Sequence, residues 1–171
     1  ERGKRFRWKD DPQKFEVDSI NSLFIAYWNI PNSSSEVAEY DELIYFGVAP
    51  EEDGQMIADT GLENVTSFIE NTPSKAKRLL TVRMLDTENN LATLEDVSRQ
   101  SLVISQTLDL VEQYGFDGVV LDLEMGVIPL EEVTNSISAF VSDFAREAHT
   151  SDVTFAITIY GDSFYRARPF D

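Results

Sequence analysis

Cysteine is absent from the 171 residues, and histidine occurs once, at His149. Disulfides and thiolate metal sites are thereby excluded, no transition-metal centre is expected, and nothing in the chain calls for a cofactor. A cysteine-free chain fits the cytosol and a bacterial envelope equally well. No apolar run approaches the ~18 residues of a membrane span, and the opening residues do not read as a secretory signal. Positive charge is also scarce. The formal net charge is −17, and residues 1–14 hold six of the fourteen basic residues. The other 157 residues carry 28 acids against 8 bases. Such a body repels nucleic acid and anionic lipid heads, whereas a neutral ligand such as a sugar meets no penalty. Residues 1–20 read as a basic extension, solvated or the stub beside a membrane anchor or signal, and 21–171 as one domain.

What is present is an alternation of strand and helix. Apolar runs at Leu23–Trp28, Leu43–Val48, Leu79–Leu85, 118–123 and Val153–Tyr160 predict five buried strands. Between them, residues 61–71 predict a helix, as do Leu130–Phe144. A third helix, with Leu94, Val97, Ile104, Leu108 and Val111 on one stripe, is read as capped by Thr93 with Asp96 at its third position. Gly115 stands where a left-handed helix end is wanted. Regular alternation implies parallel strands joined by crossovers, which fits both an open doubly wound sheet and a (β/α)8 barrel. Both place ligands at the C-terminal ends of strands.

The fourth run, FDGVVLDLE, carries two acids where a buried strand should be apolar. Residues two apart in a strand share a face, so Asp122 and Glu124 point the same way as Gly118 and Val120. Val119, Leu121 and Leu123 take the other face. Two carboxylates this close, in a partly dry site, do not both ionise easily, and one can keep a proton and serve as a general acid. Acids after a strand are common, however, and the pair taken alone fits a capping role as well.

The longer pattern is more specific. Residues 116–124 match eight of nine places of the fourth-strand motif of family 18 glycoside hydrolases: apolar, Asp, Gly, apolar, Asp or Asn, apolar, Asp, any residue, Glu. The chain resembles this chitinase-like family, and most of all its bacterial branch of spore-cortex and cell-wall hydrolases. The likeness in element order runs over roughly residues 20–171. Residue-level similarity is confined to 114–125 and, loosely, to FYRARPFD at 164–171. The resemblance implies a (β/α)8 barrel, here incomplete at about five parallel strands. It implies retaining hydrolysis of β-1,4-linked N-acetylglucosamine-containing glycan, chitin or peptidoglycan, outside the cell or in the envelope. It assigns Glu124 as general acid and base, and Asp122 as the residue that orients the 2-acetamido group. That group's own carbonyl oxygen is the nucleophile. Asp117 and Gly118 take structural roles.

The departures are equally definite. Val120 replaces the motif's central Asp or Asn, which in the family exchanges charge with the Asp two residues on. The third strand lacks the family's Ser-x-Gly-Gly. A whole barrel needs about 250 residues, so closure by further strands or a second copy is expected, with self-association if the barrel stays open. Tyr27, Trp28 and Tyr45 lie near the ends of strands one and two, where aromatic faces stack on sugars, although core packing is expected for at least two. Tyr160 and Asp162 end strand five on the same rim. A non-catalytic glycan-binding module on the same barrel is the competing reading. Retention of both Asp122 and Glu124 favours the enzyme.

Overall fold

The computed structural model describes residues 20–126 and 131–159. Most of the basic extension, and Tyr160, Asp162 and 164–171, therefore lie outside the described residues. Five strands form one sheet in chain order: β1 (Ser22–Ala26), β2 (Glu42–Val48), β3 (Lys77–Met84), β4 (Gly118–Leu123) and β5 (Thr154–Ile157). Every neighbouring pair is parallel. The connections carry α1 (Thr60–Glu63), α2 (Val65–Glu70), α3 (Thr87–Glu95), α4 (Val97–Tyr114) and α5 (Glu131–Thr150). This is the α/β architecture of a partial (β/α)8 barrel.

Strand alternation separates two cores. Leu43, Tyr45, Leu80, Val82, Val119, Leu121 and Leu123 face the helices and meet Phe68, Val103, Val111, Ile137, Phe140 and Phe144. Burying each such Leu or Phe contributes about 1.5–3 kcal/mol, so this layer supplies most of the drive to fold. The opposite face carries a small apolar floor of Ile44, Leu79 and Val120. Along this face the edge strand β1 leaves Phe24 half exposed.

Local signals explain the boundaries. Gly115 takes φ +69° and ends α4, its N–H donating to the Val111 carbonyl. Gly118 opens β4 because nothing larger fits: a Cβ there would lie 2.6 Å from Leu79 Cδ2 and 2.8 Å from the Thr154 carbonyl. Two helix expectations are corrected. The stretch 61–71 is divided at Asn64 into α1 and α2. The helix read as starting at Thr93 starts at Val97, because Asp96 is extended (φ −124°, ψ 105°) and its carboxylate accepts from the Ser98 and Arg99 N–H groups. Thr93 instead belongs to α3, buried, with its hydroxyl unpartnered among the described residues.

Candidate active site

The site forms at the C-terminal end of β4. Asp122 is the only carboxylate among the buried residues described and is 9% exposed. Its side chain lies on the floor side of the sheet, beyond Val120. Thr158, just past β5, continues the ladder by donating its N–H to the Leu121 carbonyl (3.0 Å). The Thr158 hydroxyl then donates to Asp122 Oδ1.

Glu124 is held through its backbone. Its N–H donates to the Met84 carbonyl (2.9 Å), so the β3–β4 ladder extends one step beyond Leu123. The alternation that puts Asp122 on the floor side therefore carries Glu124 to the same side. Asn90 of α3, 1% exposed, donates from Nδ2 to both the Met84 carbonyl (2.8 Å) and the Glu124 carbonyl (2.7 Å). The Gly126 N–H donates to Thr87 Oγ1 at the start of α3. One buried amide thus fixes the chain where the strands end. The Glu124 carboxylate has no hydrogen-bond partner among the described residues.

Arg83 completes the rim. It pairs in register with Asp122. Its Nε donates to the Gly47 carbonyl (2.8 Å) and its Nη2 to Asp59 Oδ2 (2.9 Å). The guanidinium lies 4.8 Å from the Tyr27 ring centroid and 5.7 Å from that of Phe46, within cation–π range. Asp59 also caps α1, accepting from the Gly61 and Leu62 N–H groups. Trp28, 67% exposed, stands edge-on to Tyr27 and Phe46. An aromatic cluster of Tyr27, Trp28 and Phe46 therefore gathers near Arg83, the register neighbour of Asp122.

The structure divides the aromatic candidates. Tyr27 and Trp28 lie with Arg83 at the mouth. Tyr45 does not: it is fully buried on the helix-covered side, packed on Phe68, and its hydroxyl donates to the Gly61 carbonyl (2.5 Å). Burial pushes its phenol pKa well above 10.0. Its position on the strand, odd where Ile44 and Phe46 are even, turns it away from the site. Asp117 lies at the opposite end of β4, where its carboxylate accepts from the Arg78 N–H (2.8 Å) and its own N–H donates to the Arg78 carbonyl (2.7 Å).

Sequence reasoning missed Arg83, Asp59, Asn90 and Thr158. Arg83 had a usable signal: a charge inside the apolar run LLTVRML, the same anomaly that exposes Asp122. Among the described residues no cluster of three or more His, Asp or Glu side chains is arranged to hold a metal ion. None of the described helices is long and apolar enough to cross a membrane.

The five-stranded parallel sheet with its helices has the fold of part of a chitinase barrel, as solved structures show. No family profile matches the chain. It is 27% identical over 155 residues to a chitinase-like mite allergen, Der p 18.0101, of Dermatophagoides pteronyssinus, covering 88% of this chain and 30% of that protein. Among solved structures, it superposes on the Group IV chitinase of Ostrinia furnacalis in complex with allosamidin (TM-score 0.68, 14% identity, 83% of this chain and 44% of that one). It also superposes on the class V chitinase of Nicotiana tobaccum in complex with NAG4 (0.65, 13%, 82% and 44%). A third is the Bacillus cereus spore cortex-lytic enzyme SleL (0.60, 18%, 82% and 35%). The chain therefore spans less than half the length of each of these proteins, and at such identities the structural likeness is one of fold.

Proposed function

We propose that the full-length protein hydrolyses a β-1,4-linked, N-acetylglucosamine-containing glycan with retention, by substrate-assisted catalysis. The observation that carries this is the placement of Asp122 and Glu124 on one face, at the C-terminal end of an interior parallel strand. Asp122 is anchored there, and Glu124 has its backbone fixed and its carboxylate free.

The chemistry follows from that division. Glu124, protonated, gives its proton to the glycosidic oxygen as the C1–O bond breaks. The 2-acetamido carbonyl oxygen of the same sugar attacks C1 from the other face, forming a cyclic oxazolinium ion. Asp122 accepts a hydrogen bond from the acetamido N–H and offsets the positive charge that develops there. Water then attacks C1 and gives its proton to Glu124. The ring opens, the acetamido group is restored, and configuration at C1 is retained. Tyr27 and Trp28 offer stacking faces to sugars along the cleft. A polymer of this kind is met outside the cell or in its envelope, and the acidic surface does not repel uncharged chitin.

The test is Glu124→Gln in the full-length protein, assayed on chitooligosaccharides and on peptidoglycan. The amide keeps shape and removes the transferable proton, so turnover falls ~10² to 10⁴-fold or more while glycan binding persists. Unchanged turnover removes Glu124 from the role. Binding by the wild type without any turnover favours the glycan-binding module instead.

A further inference from the structure

We propose that Thr158 is a positioning residue for Asp122, replacing the acidic neighbour that Val120 does not supply; this rests on the hydrolase reading above. Val120 is 3% exposed and packs with Ile44 and Leu79 as an apolar floor. Nothing titratable lies below Asp122 on its own strand. On β3 the register neighbour is Arg83, whose guanidinium is committed to Asp59 and the Gly47 carbonyl. On β5 the residues sharing this face are Thr154, Ala156 and Thr158, of which Thr158 reaches the carboxylate. Glu124 stands above.

The consequence is a carboxylate with one defined role. A hydroxyl can donate to Asp122 Oδ1 but cannot take a proton from it at neutral pH. Asp122 therefore does not pass charge down the strand. Thr158 holds Oδ1 and leaves Oδ2 for the acetamido N–H. Thr158 is itself held by the backbone bond to Leu121, so the donor is part of the sheet rather than a loose side chain.

The experiment compares Thr158→Val, which removes the hydroxyl at constant shape, with Thr158→Ser, which keeps it. Both are made in the full-length protein and assayed on N-acetylated chitooligosaccharides from pH 3 to 9. A hydrogen bond to a charged group sets the scale, so Thr158→Val should lower kcat about 10- to 100-fold with a smaller change in KM. Thr158→Ser should restore kcat. Wild-type kcat in Thr158→Val, or equal loss in both variants, overturns the proposal. The carboxyl chemical shift of Asp122, compared by NMR between wild type and Thr158→Val, reads the contact without turnover. An inactive wild type with a displaced carboxyl shift in the variant would overturn the hydrolase reading and leave the positioning contact standing. No displacement overturns the contact itself.

Discussion

Asn90 offers the sharpest test of how the site is built. It is 1% exposed, lies on a helix rather than a strand, and donates one nitrogen's two protons to two carbonyls, Met84 O and Glu124 O. Asn90→Ala removes both donors and leaves a small void. The Met84 carbonyl also accepts from the Glu124 N–H, so it keeps one partner. The Asn90–Glu124 contact is only part-buried, so water can replace the lost donor at the Glu124 carbonyl. Counting one net hydrogen bond and one partly unsatisfied buried acceptor gives about 2–4 kcal/mol, less than two fully orphaned groups would cost. Asn90→Asp should cost more, because it sets a carboxylate against two carbonyl oxygens that it cannot serve as donor. Urea unfolding of the full-length protein, followed by tryptophan fluorescence, measures both. Because Glu124 is placed through this carbonyl, turnover at saturating substrate should fall with KM changed less. A loss below about 0.5 kcal/mol in Asn90→Ala would refute the inference that this amide organises the strand ends, as would an Asn90→Asp variant as stable as wild type.

De-N-acetylated oligosaccharides should not be cleaved at a rate comparable to their N-acetylated counterparts, since the nucleophile is missing; equal rates in a product assay would exclude substrate assistance. Tyr45→Phe should lose about 0.5–1.5 kcal/mol near pH 7, the hydrogen bond to Gly61. The raised folded-state pKa of Tyr45 means that its contribution is full below the unfolded value of 10.0 and falls as pH rises beyond it, so the wild-type stability excess over Tyr45→Phe should shrink in urea titrations between about pH 9.5 and 11. Arg83→Met with Asp59→Asn forms a double-mutant cycle. With Arg83 11% and Asp59 32% exposed, solvent screens the pair in part, and the coupling measured by denaturation should be about 1–2 kcal/mol; a value near zero would remove the ion pair from the rim's support.

The acid-bearing strand was legible because a charge inside an apolar run has few explanations, and a period of two fixes which residues share its face. That put Asp122 and Glu124 together without any tertiary knowledge, just as Gly115 announced the end of α4. The apolar strand β2 gave no such handle. LIYFGV is covered on both faces, as parallel strands are, so nothing local says that Tyr45 turns to the helices and Phe46 to the site. The start of α4 was misread because Thr93 and Asp96 are both capping residues three apart, and only the packing of α3 decided between them. Asn90, Asp59 and Thr158 were beyond local reading: each acts across a contact 24 to 36 residues away, and an Asn, Asp or Thr near an element end looks like an ordinary cap. Alternation along the chain thus determined that two carboxylates share a face. The packing of β3, β5 and α3 around that strand decided which carboxylate is anchored and which is free, because hydrogen-bond partners are set by proximity in space.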